Sequence, residues 1–321
     1  MENRLENNLY NDKMQIIQQT TDFIIKEKTA AALGKFDGIH RGHQKLLEEI
    51  LEQKKKGLKA VIFTFDPSPA TLFQKSKVKE LSTKKEKEAL FEAMGVDILI
   101  EFPLNEKTAA MSAEDFVEEV LVRKMNVGFI AAGTDLSFGY KGAGNAALLK
   151  EFSEEYGFQV EIIDKVCHEG REISSSFVRE EIEKGNMELA AALIGKTYSV
   201  SGVVEHGNRI GRTLGFPTVN LLPEEEKLLP PCGVYFSKVL VDGEVYNGVT
   251  NIGYKPTVSD EPRIGVETYI YDFEKDVYGK EITVSLEHFK RSEKKFDGLE
   301  ELRVQVELDK EDGRKYFLEN R

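Results

Sequence analysis

The sequence predicts an α/β unit with a parallel sheet, followed by an antiparallel β-barrel with a C-terminal helix. Three observations predict it. In the first half, short apolar runs alternate with helical patterns, which implies parallel strands joined by crossover helices. In the second half the apolar period changes to two, and Asp242-Gly243 and Tyr278-Gly279 supply turns between the runs. Composition shifts near Lys184-Gly185-Asn186, so the expected domains are residues 1–185 and 186–321.

The elements follow in order. Residues 1–13 are polar and Asn-rich and are expected to be disordered, with Met14 an alternative start. Strands are expected at 30–33, 60–65, 98–102, 127–132 and 160–163, and helices at about 43–56, 83–94, 113–125 and 145–156. After a short helix at 187–194 come strands at 198–204, 234–241, 245–249, 266–271 and 282–286. So many short strands hide their edges best by closing into a barrel. A last helix is expected at about 297–308.

A length of 321 residues suits two domains that each bury a core. The net charge of −12, with no dominant block of Lys and Arg, argues against a nucleic-acid backbone as partner. No apolar run approaches the roughly 18 residues that span a bilayer, and no signal peptide opens the chain. Cys167 and Cys232 lie far apart without a CxxC pair, which fits two reduced thiols in the cytoplasm. Nothing in the sequence sets the oligomeric state.

The most informative segment is Gly34-Lys35-Phe36-Asp37-Gly38-Ile39-His40-Arg41-Gly42-His43. A small-residue strand enters it and an amphipathic helix leaves it. Residues three apart share a helix face, so His40 and His43 stand together on the first turn. A helix N-terminus already favours anions. With Lys35 and Arg41 added, the segment suits a polyphosphate. Two histidines at this spacing also serve zinc, but zinc takes three or four ligands, and Cys167 and His168 are weak candidates for the rest.

A second segment, Ile173-Ser174-Ser175-Ser176-Phe177-Val178-Arg179, opens a helix with hydroxyls at its cap. Arg179 there opposes the helix dipole, a conflict that a bound anion would relieve. A capped helix of no functional meaning reads the same way when the segment is taken alone. A third run, Gly142-Ala143-Gly144-Asn145-Ala146-Ala147, fits a loose GxGxxA. It stands too far from the preceding strand for a dinucleotide fingerprint.

The second half carries Gly207 to Asn220, GNRIGRTLGFPTVN. Its glycine spacing and the absence of a following helix reject a Walker A loop. A glycine-rich loop with Arg209 and Arg212 still cradles phosphates through backbone N–H groups. Thr218 and Asn220 offer neutral oxygens that suit Mg²⁺ when ATP phosphates complete its shell. Routine hairpin glycines are the alternative.

The motifs GKFDGIHRGH and ISSSFVR resemble those of nucleotidylyltransferases, and the first is similar to the adenylyltransferase domain of bacterial bifunctional FAD synthetases. GFPTVN, with Pro231–Tyr235, 251–257 and 267–273, resembles the riboflavin kinase signature. The resemblance covers the chain from about residue 14. It implies a Rossmann-like first domain in which Gly34, Phe36, His40, His43, Ser175, Ser176 and Arg179 serve ATP and Asp135 contacts flavin. It implies a kinase barrel in which Gly207, Arg212, Gly215 and Thr218 bind ATP, Thr218 and Asn220 hold Mg²⁺, and Glu267 is the base. The implied activity is riboflavin to FMN to FAD, using ATP twice and releasing pyrophosphate in the second step. Ser68, Leu136 and Ser176 depart from the usual His, Phe and Thr. Two other readings are a riboflavin kinase with an impaired adenylyltransferase half and a non-catalytic flavin or nucleotide sensor.

Overall fold

The structure, a computed structural model, describes residues 13–68, 79–207, 215–255 and 263–320. It divides into two compact units, Met1–Val78 with Lys84–Val166, and Lys79–Thr83 with Cys167–Arg321.

The first unit is a six-stranded parallel sheet in the order β1-β4-β3-β2-β5-β8. Its strands are Gln15–Gln18 (β1), Thr29–Leu33 (β2), Lys59–Asp66 (β3), Ile98–Pro103 (β4), Val127–Gly133 (β5) and Gln159–Ile163 (β8). Successive side chains of a strand point to opposite faces, and helices bury both. On one face Ala30 and Ala32 pack with Leu46, Leu47 and Ile50 of α1 (Arg41–Lys55) and Phe91 of α2 (Lys84–Met94). On the other, Ala31 and Leu33 pack with Val117, Val120 and Leu121 and with Leu149 of α3 (Ala146–Tyr156). The alanines of β2 leave room for both helix layers to approach closely. The expected helix at 113–125 is Ala113–Asp115 continued as a π-helix over Phe116–Lys124.

β1 is an addition to the sequence expectation. Its four residues, two of them glutamine, pair only at the sheet edge with Ile98–Glu101, too short and polar a run to mark a strand. β2 lies at the sheet centre between β3 and β5, so the chain reverses its direction of travel there. Loops leaving the carboxyl ends of β2 and β5 diverge and open a crevice, the usual ligand position in such sheets. A two-stranded ribbon, Ser137–Phe138 (β6) with Gly144–Asn145 (β7), forms part of the β5 loop. A Cβ on Gly144 would stand 2.5 Å from the Phe138 ring, so the loose GxGxxA glycine is a packing glycine.

In the second unit, the hairpin Cys167–His168 (β9) and Arg171–Glu172 (β10) precedes α4 (Ser175–Lys184) and α5 (Met187–Ile194). A closed barrel follows in the order β11-β12-β15-β14-β13-β16. Its strands are Ser199–Glu205 (β11), Thr218–Leu221 (β12), Gly233–Val241 (β13), Glu244–Lys255 (β14), Arg263–Ile270 (β15) and Glu281–Ser292 (β16). β12 carries no period-two signature of its own; pairing with β11 and β15 makes it a strand. The last helix, α6 (Leu299–Glu319), runs well beyond 308. Gly313 lowers helix propensity, yet a Cβ there would meet the Tyr271 hydroxyl at 2.5 Å, so close packing on the barrel requires it.

Candidate functional site

In the first unit the Gly34–His40 loop is held down by two buried side chains. Phe36 and Ile39 are both fully buried although their φ values are +52° and +41°. Left-handed backbone at non-glycine residues costs about 1–3 kcal/mol each, and burying such side chains contributes about the same. The loop therefore hands the chain to α1 with an extended His40 at the cap position and no side-chain cap. His40 and His43 stack with ring centroids 3.8 Å apart, and Phe36 backs His43 at 5.1 Å.

His40 is buried and His43 half-buried, and the Nδ1 atom of each is shielded from solvent with no hydrogen-bond partner. Burial lowers His40 to about 4 against the pull of Asp37 and Asp135, and burial with the neighbouring His40 lowers His43 well below its ordinary value. Both rings are thus neutral at pH 7. Two orphaned imidazole nitrogens beside an uncapped helix start could donate to phosphate oxygens, as Nδ1–H tautomers or once a phosphate contact draws the rings toward their charged form.

A cavity of about 440 Å³ opens beside them, lined by Gly34, Lys35, His43, Thr64, Ser68, Asp135 and Leu136 among others. Ser68 and Leu136, two of the three departures from the family pattern, both line this cavity. Asp135 is exposed and pairs with Lys165 at 3.5 Å. A second, mostly apolar cavity of about 780 Å³ shares Phe65, Phe116, Ser137 and Phe138 with it. Those three rings were not singled out from the sequence; the only signal was their aromatic character at strand and loop ends.

In the second unit Ser174 caps α4, accepting from the Phe177 N–H at 3.2 Å, while Ser175 and Ser176 begin the helix. The Arg179 guanidinium donates to the Lys79 carbonyl, so a backbone oxygen faces the charge placed against the dipole.

The barrel holds two cavities that meet at Thr218. One, about 410 Å³, is lined by Val204, Gly207, Thr218, Asn220, Thr268, Phe273 and Tyr278. The other, about 560 Å³, is lined by Thr218, Asn251, Glu267, Tyr269, Arg291 and Asp309 beneath α6. Val266, Thr268 and Ile270 are buried in the barrel, and Glu267 with Tyr269 takes the opposite face of β15. That resolves the face of Glu267, which its neighbours in sequence left open. The Thr218 hydroxyl donates to Glu267 Oε1 at 2.5 Å, and Asn220 stands opposite Glu267 in the strand register. A Cβ on Gly207 would stand 2.6–2.8 Å from the Asn220 amide, so that glycine lets the loop lie against it. Gly215 turns the chain into β12 at φ +86°. Arg212 lies outside the described residues. Half-buried Arg291 pairs with the buried Asp309, Nη2 to Oδ2 at 2.7 Å, a contact for which the sequence carries no signal.

The donor set Thr218, Asn220 and Glu267 is all oxygen, which fits Mg²⁺ and not a softer metal. Among the described residues no group of three or more His, Cys, Asp or Glu is placed to hold a metal ion, so phosphate oxygens would have to complete any shell. No helix among the described residues is long and apolar enough to cross a membrane.

Comparison with known proteins matches residues 23–177 to the family described as FAD synthetase and residues 194–317 to that described as riboflavin kinase. A curated protein of Bacillus subtilis, a bifunctional riboflavin kinase/FMN adenylyltransferase, is 37% identical over 306 residues, 92% of this chain and 95% of that one. Proteins of the same name from Listeria monocytogenes and Escherichia coli are each 36% identical over more than nine-tenths of both chains. A solved structure from Streptococcus pneumoniae, named as a macrolide-efflux protein, has a TM-score of 0.84 at 30% identity and covers 94% of this chain and 98% of its own.

Proposed function

The chain belongs to the bifunctional riboflavin kinase/FMN adenylyltransferase family, and on that premise we propose which residues perform each of its two reactions. It phosphorylates riboflavin to FMN with ATP and joins FMN to the adenylyl group of a second ATP, giving FAD. Riboflavin, FMN and ATP are its small-molecule substrates.

In the kinase reaction Glu267 takes the proton of the ribityl 5′-hydroxyl as that oxygen attacks the γ-phosphorus and ADP leaves. A neutral hydroxyl needs such help. The observation that carries this assignment is the Thr218–Glu267 hydrogen bond at the one residue lining both barrel cavities. It supports the smaller cavity for ATP and the larger, beneath α6, for the flavin. Gly207, Arg212, Gly215 and Thr218 serve ATP, and Thr218 with Asn220 would hold Mg²⁺. That ion supplies neutralisation of charge on the transferring phosphate.

In the adenylylation an FMN phosphate oxygen attacks the α-phosphorus of ATP, the bond to the bridging oxygen breaks, and pyrophosphate leaves. The nucleophile is already anionic, so positioning and charge stabilisation suffice. The unpartnered Nδ1 atoms of His40 and His43 support these residues as phosphate ligands. Gly34 and Phe36 shape the loop. By the family resemblance Ser175, Ser176 and Arg179 serve the same step, and Asp135 the flavin. The apolar cavity lined by Phe65, Phe116 and Phe138 suits the isoalloxazine ring.

We assign adenylyl transfer to residues 1–185 and the kinase to 186–321, a division supported by family matches that end at 177 and resume at 194. Two cysteines held as thiols outside any disulfide, together with the use of ATP, support a cytoplasmic location.

A time course of purified protein with riboflavin, ATP and Mg²⁺ tests the reading. FMN should appear first and FAD after it. FMN accumulation with no FAD from supplied FMN would leave only the kinase.

A further inference from the structure

Lys84 and Glu101 lie at the carboxyl edge of the first unit's sheet and take no part in the chemistry assigned above. Glu101 sits in β4 between Gln18 of β1 and Thr64 of β3 in the register. Its side chain is only 8% exposed. Burial raises Glu101 above the ordinary carboxylate range, and the Lys84 ammonium opposes that shift.

Lys84, the first residue of α2, is in short contact with Glu101 Oε2. The same Nζ reaches Gln18 Oε1 at 2.9 Å and Asp66 Oδ2 at 3.4 Å. One ammonium therefore joins the ends of three strands, β1, β3 and β4. Asp66 is the last residue of β3, and Ser68, two residues on, lines the cavity beside His43. Thr64, Glu101's register partner, lines it as well.

The carboxylate is buried while the ammonium stays partly in solvent, so desolvation of Glu101 offsets much of the attraction and the pair is a poor source of stability. Its directional contacts are better suited to fixing geometry. We propose that Lys84 and Glu101 are positioning residues for adenylyl transfer: they hold the Asp66–Ser68 exit of β3 so that Thr64 and Ser68 keep their places in the nucleotide cavity wall. This inference rests on the adenylyl-transfer reading of the first unit.

The test uses the full chain, with riboflavin phosphorylation as the internal control. Lys84→Met should lower kcat/KM for FAD formation from FMN and ATP by about 10–100-fold, the loss expected when a cavity wall shifts by about an ångström. FMN formation should stay within about twofold. Lys84→Arg, which keeps the charge, should recover most of the lost activity. The double variant Lys84→Met/Glu101→Leu removes the uncompensated buried carboxylate and should regain the melting temperature while FAD formation stays low. Recovery of activity together with stability in the double variant would overturn the proposal, since the pair would then be structural only. So would wild-type FAD formation in Lys84→Met. A wild-type protein that makes FMN but never FAD would instead defeat the adenylyl-transfer reading itself.

Discussion

Burial holds His40 and His43 below their ordinary range, so in the proposed phosphate site they would meet a polyphosphate as neutral rings. Phosphate favours the charged imidazole, so binding ATP should raise both values and draw protons from solution. The sign follows. With a free value for His40 of about 4, affinity grows as pH falls from the bound value toward 4. Calorimetry of ATP binding near pH 6, in two buffers of different ionisation heat, should show proton uptake that His40→Asn/His43→Asn abolishes; equal heats in wild type and variant would remove the histidines from the phosphate site. The role proposed for Glu267 is the opposite one, taking a proton from a neutral alcohol. Glu267→Gln should slow FMN formation by about 10²–10⁴-fold and leave FMN-to-FAD conversion unchanged in the same preparation.

Two elements carry more of the kinase site than their length suggests. β12 has four residues, yet it places Thr218 against Glu267 and Asn220 opposite it. The loop before it touches Asn220 through Gly207, with no room for a Cβ. Gly207→Ala should push the Asn220 amide aside and lower kinase kcat/KM about tenfold or more, read by FMN production with FAD synthesis from FMN as control. α6 lines the cavity proposed for the flavin and is anchored by Asp309, whose carboxylate accepts from Arg291 Nε and Nη2 and from Gln305. Removing one partner of a largely buried pair leaves the other charge unpaired, a loss of about 3–5 kcal/mol. Asp309→Ala should therefore lower the thermal midpoint of the second unit and raise KM for riboflavin, while a small shift in both would mean that α6 is anchored elsewhere.

At the scale of the whole molecule the two reactions share FMN, product of one and substrate of the other, and the residues proposed for them are different. Their defects should complement. Glu267→Gln should make little FMN and His40→Asn/His43→Asn little FAD, but the mixture should convert riboflavin to FAD after a lag while FMN builds up in solution. Failure of the mixture, with each variant keeping its remaining activity, would show that FMN released by one chain does not reach another.

The two fold classes, most elements and the candidate reactive side chains were legible in the sequence. Local signals carry that information: apolar periods of about 3.6 and two, glycines at forced turns, and motif residues close together along the chain. HxxH at 40–43 was legible because its partners are neighbours on one helical turn. Tertiary structure decided what depends on residues far apart. It made β1 and β12 strands through pairing alone, carried α6 past Gly313 by packing on Tyr271, and set the face of Glu267. It also silenced the charge on His40 and His43 through burial, and joined Gln18, Asp66 and Glu101 around Lys84. Those arrangements arise from long-range pairing and desolvation, and neither leaves a period or a spacing in the chain.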